Sequence, residues 1–369
     1  MRTTTRWALP GALALTLAGG AVLVPNLASA DPDLPPTTAA ELLVDLAGAQ
    51  SQPFSGTVVQ TTDLGLPELP TNGETSELTS LIAGSTTVRL WYGGPDQARV
   101  AVLGTLAETD VVRHGADLYV WRSDSNAAQH MTLPEREDDG EEAPPVTGGA
   151  SPADAAAAAL AAIAPSTEVT LDGTASVAGR DAYELVLTPR DSESLVGEVR
   201  LAVDAATSFP LRVQVTARGA DEPAFSSGFE SVAFGPPPEE VFAFSPPPGA
   251  TVTEIEPGQS PPAAGKLPHS ASPPAGAPDG QPTVVGDGWT TVGVLHGVDP
   301  ASLTDGADGD GIGATLLQAF RPVSGDYGSG RAFTSSLLSV LVLDDGRALV
   351  GAVPLEVLER AALDPDAAP

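Results

Sequence analysis

The sequence predicts a mainly β protein with a few helices, which is an α+β fold in the broad sense. The first reason is alternation: in residues 194–204 and 209–219, apolar residues recur at every second position, which gives a strand one apolar face. The second is spacing, because about a dozen such segments follow one another at short intervals, as in antiparallel sheets. The third is that helical patterns are few and short.

Composition excludes several classes of protein. The chain has 369 residues, enough for two domains of ordinary size, and it has no Cys, so neither a disulfide framework nor a thiolate metal site is available. The formal net charge is -31, and Lys266 is the single lysine. Such acidity argues against binding to nucleic acid or to anionic lipid headgroups, and its ordinary role is solubility.

Residues 1–30 have the pattern of a signal peptide. Arg2 and Arg6 precede an apolar stretch, residues 8–24, and residues 28–30 (Ala-Ser-Ala) fit the small-residue cleavage rule. The apolar run is short for a membrane span. We therefore expect an exported protein, extracellular or associated with the cell envelope, that is cleaved after Ala30. Retention of the segment as an anchor is the alternative.

Three helices are predicted in the first unit, residues 31–256. Thr38 and Glu41 form a capping box ahead of one apolar stripe. Residues 77–83 are predicted to form a short helix that Gly84 ends, and residues 151–165 to form an Ala-rich helix that begins with Ser-Pro. Strands are predicted at residues 54–62, 86–92, 97–104, 108–113, 116–122, 127–133, 167–179, 180–190, 194–204, 209–219, 224–235 and 240–249.

A linker separates this unit from a second one. Residues 257–283 are rich in Pro, Gly, Ala and Ser, which is typical of a disordered or polyproline II segment. Residues 284–369 are predicted to form a small α+β domain. Its expected elements are a strand pair around Trp289, a helix at residues 314–323, a hairpin with an Asp345-Gly346 turn, and a last helix that begins after Pro354.

The ratio of strands to helices bears on function. A dozen strands present a long apolar face, and three short helices would cover it thinly, which leaves room for a cavity. A conventional barrel or sandwich filled by its own side chains explains the same pattern equally well.

Catalytic and metal-binding patterns are missing from the sequence. The four His residues do not have metal-ligand spacing, and no GxSxG motif is present. Residues 305–313 (DGADGDGIG) suggest Ca²⁺, but they fail the EF-hand spacing and no Glu closes the loop. We therefore expect no enzymatic activity, no cofactor and no metal.

Five motifs occur in the order found in one superfamily. They are FSGTVVQ (54–60), GPDQARV (94–100), VVRHGADLYVWRSD (111–124), YELVLTPR (183–190) and VFAFSPPPGATV (241–252). In these motifs the first unit resembles the LolA-type lipoprotein carriers and the related part of the RseB/MucB-type sigma-factor regulators. Residues 335–354 loosely resemble the C-terminal portion of the RseB-type proteins.

The resemblance implies a half-open antiparallel β-barrel with a helical lid, whose cavity holds acyl chains of lipids or lipoproteins. It therefore favours the cavity over a filled barrel. One position departs from the family, because Gly94 stands where LolA-type carriers have the Arg that latches the lid, while Arg99 is kept. The latch is thus in doubt. Without Cys, the protein is not itself a lipoprotein.

The leading hypothesis is an exported lipid- or lipoprotein-binding protein, either a carrier or a lipid sensor. The alternative is an RseB-like module that binds the extracytoplasmic segment of a membrane anti-sigma factor or another envelope partner; a purely structural role is a third. The hairpin at residues 117–122 leaves open which of its two residue pairs faces inward. Ordinary core packing is the alternative role for every cavity candidate, and the candidates are Leu42, Leu43, Leu46, Phe54, Val58, Leu90, Val100, Val102, Tyr119, Trp121, Tyr183, Leu185, Leu187, Leu201 and Val213.

Overall fold

The computed structural model describes residues 34–48, 52–65, 83–104, 107–133, 165–255, 283–298 and 319–364. Within these ranges the chain forms two β-sheets and, besides the single helical residue Ala319, two α-helices, α1 (Ala39–Gly48) and α2 (Leu355–Ala362). The prediction of a mainly β protein with few helices is therefore confirmed. Among the described residues, no helix is both long and apolar enough to cross a membrane.

The larger sheet has twelve strands. In chain order they are β1 (Phe54–Asp63), β2 (Ala83–Gly94), β3 (Gln97–Leu103), β4 (Glu108–His114), β5 (Asp117–Arg122), β6 (Ala127–Thr132), β7 (Thr167–Val177), β8 (Arg180–Pro189), β9 (Val196–Asp204), β10 (Pro210–Ala217), β11 (Pro223–Phe234) and β12 (Thr251–Ile255). Their spatial order is β12-β6-β5-β4-β3-β2-β1-β11-β10-β9-β8-β7, so the sheet is open, with β12 and β7 at its edges.

Two meanders make up this sheet, β2 to β6 and β7 to β11. Strand β1 joins them, because it pairs antiparallel with β2 on one side and with β11 on the other. The β1–β11 ladder is interrupted by a bulge between Thr57 and Val58. At the far edge β12 lies parallel to β6, with Glu254 beside His130.

The smaller sheet has six strands and carries α2. The strands are β13 (Thr283–Val285), β14 (Val292–His296), β15 (Arg321–Gly325), β16 (Gly328–Thr334), β17 (Ser339–Leu343) and β18 (Arg347–Gly351), in the order β13-β14-β18-β17-β16-β15. Its apolar core is fully buried at Leu341, Leu349 and Leu358, the last of which lies on α2. Burial of each such side chain contributes about 1.5–3 kcal/mol. The strand pair around Trp289, the hairpin at Asp345-Gly346 and the last helix are confirmed.

Some predicted elements are wrong, each for a local reason. Residues 240–249 form no strand, because three consecutive prolines (246–248) supply no N–H groups for a ladder; the strand is β12, just beyond them. The predicted 314–323 helix is wrong only at its end: Ala319 is helical and residues 314–318 lie outside the described residues, but residues 321–323 lie in the edge strand β15, where Pro322 is tolerated. Ala83 and Gly84 belong to β2, because β1 pairs with them through Asp63 and Thr62.

Other predicted segments lie outside the described residues and are not tested. They are the rest of the predicted 77–83 helix, the 151–165 helix up to residue 164, the 257–283 linker apart from Thr283, and the 305–313 loop. The signal segment lies outside them too.

The two sheets contact each other directly. The indole Nε1 of Trp289 donates to Thr167 Oγ1 at 2.7 Å. Backbone bonds join Leu195 N to Ala352 O at 2.8 Å and Ser336 N to Leu64 O at 3.0 Å. An ion pair joins Arg360 to Glu193. The smaller sheet therefore lies against one end of the larger one, at the start of β7, the β8–β9 connection and the chain just after β1.

Candidate binding face

Helix α1 begins with the predicted capping box. Glu41 N donates to Thr38 Oγ1 at 3.2 Å, and Thr38 N donates back to Glu41 Oε2 at 2.9 Å. The Thr38 hydroxyl also donates to Glu41 Oε2 at 2.9 Å, and this bond and the one from the Thr38 backbone N–H lower the pKa of Glu41. A further bond fixes the chain just before the helix, from the Tyr183 hydroxyl to Pro35 O at 2.8 Å. The start of α1 is thus tied to β8.

A compact apolar cluster lies under α1. Leu42 is 3% exposed, and Leu185 on β8 and Val203 on β9 are fully buried. The side chains packed around them are Ala39, Leu43, Leu46, Val169, Leu171, Tyr183, Leu187 and Leu201. The structure therefore brings together seven of the fifteen cavity candidates, three from the helix and four from β8 and β9. We call the side of the larger sheet that carries Leu185 and Leu201 the helix face.

The helix face continues across the sheet to β1, β2 and β3. Paired residues of neighbouring strands point to the same side, and Leu201 pairs with Val213, Val213 with Ser227, and Ser227 with Gln60. Two residues before Gln60 on β1 is Val58, so it too lies on this face. The apolar row beyond it consists of Val58, Val88, Leu90, Val100, Val102 and Val111.

These side chains are half-buried, whereas Leu185 and Val203 beneath α1 are fully buried. The candidates Val58, Leu90, Val100, Val102 and Val213 thus share one side of the sheet with the cluster under α1. The apolar row from Val58 to Val111 therefore leaves part of its apolar surface exposed on the same face as the cluster under α1.

Polar side chains follow this row on the helix face. After the Val58–Val88 pair come Gln60, which pairs with Thr86, and then Thr62. All three are buried, at 6–8% exposure. The hydroxyl oxygens of Thr62 and Thr86 have no hydrogen-bond partner among the described residues. A buried hydroxyl without a partner is unfavourable, so Thr62 and Thr86 make this end of the row polar at a cost in stability.

Phe54 belongs to an aromatic cluster at the opposite end of β1. Its ring centroid is 5.0 Å from that of Phe209, 5.9 Å from Phe229 and 6.0 Å from Tyr92. Such tilted and edge-on contacts are the ones that aromatic rings prefer. Phe54 therefore packs among other rings.

The opposite side of β3 to β6 is covered by the chain that follows β11. We call this side, which carries Arg99 and Tyr119, the loop face. Phe242 in the covering segment is 1% exposed. Arg99 pairs with the buried Asp110 at 2.7 Å and donates to Val241 O at 3.2 Å, so the guanidinium joins the sheet to that segment.

Tyr119 and Trp121 lie on the loop face and not with the other candidates. Tyr119 pairs with Val112 and His130, and its ring stacks on His130 at 4.3 Å and contacts Phe244 at 5.3 Å. Their strand neighbours Leu118 and Val120 lie on the helix face. The hairpin thus places its aromatic pair on the loop face, with Tyr119 against Phe244 of the closing segment, a choice that the sequence left open.

His130 links the edge strand β12 to the hairpin. Its Nδ1 lies 2.8 Å from Glu254 Oε2 and its Nε2 lies 2.9 Å from Asp117 Oδ1. Burial alone would lower the pKa of His130, but the hydrogen bonds and charges of the two carboxylates outweigh it, and the pKa is raised above the usual 6.5. The imidazolium satisfies both carboxylates, whereas the neutral ring has one N–H only.

We expect the β12–β6 contact to weaken at alkaline pH. Because the folded pKa of His130 is raised, its contribution is fully present below pH 6.5 and is lost as pH rises through the folded pKa. Amide exchange of β12 measured at rising pH, corrected for intrinsic rates, tests this, with His130→Gln as the variant that removes the dependence. A His130 ring that titrates at or below pH 6.5 would contradict it.

Several residues of the helix face were not selected from the sequence. Val88 and Val111 fall on the same alternating positions as Leu90 and Val100, so the period-two pattern contained the signal. Thr62 and Thr86 gave none, because a Thr in a strand is usually unremarkable and its burial depends on the tertiary structure.

Comparison with known proteins adds the following. No family model matches the chain, and neither does any curated protein. Among solved structures, the MucA/MucB complex of Pseudomonas aeruginosa matches with a TM-score of 0.42 at 19% identity, covering 88% of this chain and 97% of that one. A LolA-superfamily protein of Nitrosomonas europaea matches with a TM-score of 0.21 at 16% identity, covering 57% and 99%. These are the two groups of proteins that the sequence motifs resemble.

Proposed function

We propose that the protein is an exported lipid- or lipoprotein-binding protein that holds acyl chains against the helix face. The observation that carries the proposal is the half-buried apolar row on β1 to β4 that leads to Gln60, Thr86 and Thr62. An acyl chain gains about 0.8 kcal/mol for each CH₂ that it buries, so the row needs neither charge nor metal to hold it.

The matched variants Val100→Asp and Val59→Asp test this proposal. Both residues are half-buried valines in central strands, but Val100 lies on the helix face and Val59 on the other side. We expect Val100→Asp to weaken binding of a fluorescent dipalmitoyl lipopeptide by about tenfold or more, because a carboxylate opposes burial of the chains. Val59→Asp should bind like the wild type. Equal affinities in two variants that both give a native circular dichroism spectrum would reject the helix face as the site.

A second candidate function is a regulatory module that binds the extracytoplasmic segment of a membrane partner. It is favoured by the contacts between the sheets, which hold the smaller sheet beside one end of the larger one and allow a partner to touch both. The double variant Trp289→Phe/Arg360→Ala loosens these contacts. A regulator would then lose partner capture, whereas a carrier would keep its affinity for lipopeptide.

A further inference from the structure

A second site lies on the larger sheet, on the side away from α1. A pocket of about 390 Å³ spans β1, β2 and β11 at the bulge, with Ser55, Thr57, Arg89, Trp91 and Ser231 among its lining residues. In the register, Thr57 pairs with Arg89 and Ser55 with Trp91, so these four side chains share one side. That side is the loop face, since Trp91 pairs with Arg99. The pocket is therefore separate from the proposed acyl site.

Arg89 is an unused cation in a strongly acidic chain. Six other arginines on strands of the larger sheet pair with carboxylates: Arg99, Arg113, Arg122, Arg180, Arg200 and Arg212. Arg89 is exposed and forms no ion pair with any residue that the structure describes. A guanidinium presents a planar fork of donors that matches a carboxylate or a phosphate. This one is available to an external anion.

Trp91 gives the pocket an apolar wall. The guanidinium carbon of Arg99 lies 5.4 Å from the centre of the indole and occupies the β3 side of it. On the β1 side its neighbour is Ser55, and beyond that Ala233, whose side chains are too small to cover a ring. Hydroxyls of Ser55, Thr57 and Ser231 add donors and acceptors around the same space. The volume is at the small end of the range for ligand pockets.

We propose that this pocket binds a small anion with a flat apolar body, a carboxylate or a phosphate monoester, whose charge pairs with Arg89 and whose body lies against Trp91. The hydroxyls of Ser55, Thr57 and Ser231 hydrogen-bond the remaining oxygens. The acidity of the chain as a whole keeps polyanions away, so the site selects a ligand with one compact anionic group.

Titration of the full chain with benzoate, phenyl phosphate and neutral benzamide tests the proposal, with the chemical shift of the Trp91 indole N–H as readout. We expect at least one of the two anions to shift this signal. Neutral benzamide should bind at least tenfold more weakly than that anion. Preference for benzoate identifies a carboxylate ligand, and preference for phenyl phosphate identifies a phosphate ester. Arg89→Gln should lower the anion affinity about tenfold or more.

Arg331→Gln is the matched control, because it removes another exposed strand arginine, this one from the smaller sheet. It should leave the titration unchanged. No shift with either anion, equal binding of benzamide, or equal affinity in Arg89→Gln and the wild type would each overturn the proposal.

Discussion

Replacing Leu185 with Asp is expected to prevent folding, and not merely to remove a binding contact. Leu185 is fully buried between Leu171 on β7 and Leu201 on β9, beneath Leu42 of α1. Loss of a buried Leu side chain alone costs about 2–5 kcal/mol, and an unpaired carboxylate in its place costs more. A domain is stable by about 5–15 kcal/mol in total, so little or nothing would remain.

Circular dichroism and thermal unfolding measure this effect. The control is Leu363→Asp, because Leu363 is 55% exposed beyond α2 and a carboxylate there stays in water. It should unfold at the wild-type temperature. If Leu185→Asp also unfolded at the wild-type temperature, the described packing of α1 on β8 and β9 would be wrong. Leu185 is one of the cavity candidates chosen from the sequence, but its complete burial makes this variant a test of folding.

Asp204→Ala is expected to destabilise the protein by about 2–3 kcal/mol, because it removes the buried acceptor of four hydrogen bonds and leaves the half-buried Arg180 guanidinium without its partner. Asp204 is 1% exposed and receives hydrogen bonds from Arg180 at 2.6 and 2.8 Å. It also receives two from Thr207, at 2.6 and 2.9 Å, which close the β9–β10 turn. Arg180 in turn lies over the ring of Phe234 at 4.7 Å. One carboxylate therefore holds together three parts of the sheet.

The same carboxylate makes stability depend on acid pH. Burial alone would raise the pKa of Asp204, but the bonds from Arg180 and Thr207 and the charge of Arg180 outweigh it and lower the pKa below 3.8. A lowered folded pKa means that this stabilisation is present above the unfolded value and is lost as pH falls through the folded one. Urea unfolding between pH 7 and pH 3 should show a fall in stability that Asp204→Ala reduces.

The control for this pair is Asp172→Ala. Asp172 is 60% exposed and contacts Arg200 at 2.8 Å, and an exposed pair of this kind contributes about 0–1 kcal/mol. Similar losses from both variants would contradict the account of Asp204 as a buried anchor.

Local features of the fold followed from the sequence, and long-range pairing did not. The capping box at Thr38, the alternation in β9 and β10 and the turn at Asp345-Gly346 each depend on a few neighbouring residues. The position of β1 between β2 and β11 depends on residues far apart in the chain, and no local pattern encodes it. The last strand was predicted at residues 240–249, which contain the prolines, and not at β12 just after them. The parallel pairing of β12 with β6 was therefore not predicted.

The candidate site shows the same division. Alternation selected Leu90 and Val100 correctly as members of one face, and the helical stripe selected Leu42, Leu43 and Leu46. Neither pattern predicts that α1 buries Leu185 completely while Val100 stays half-buried, because the difference depends on where the helix lies on the sheet. Nor could alternation assign Tyr119 to the loop face, since two alternating pairs on one strand are equivalent until the partner segment is known.

The measurement that tests the central claim most directly is native mass spectrometry of the protein purified from its own host, followed by organic extraction and lipid analysis. Binding of acyl chains to the helix face predicts a diacyl species that co-purifies in near-stoichiometric amount and is lost in Val100→Asp. A mass equal to that of the polypeptide alone, with no uptake of an offered dipalmitoyl lipopeptide, would contradict it.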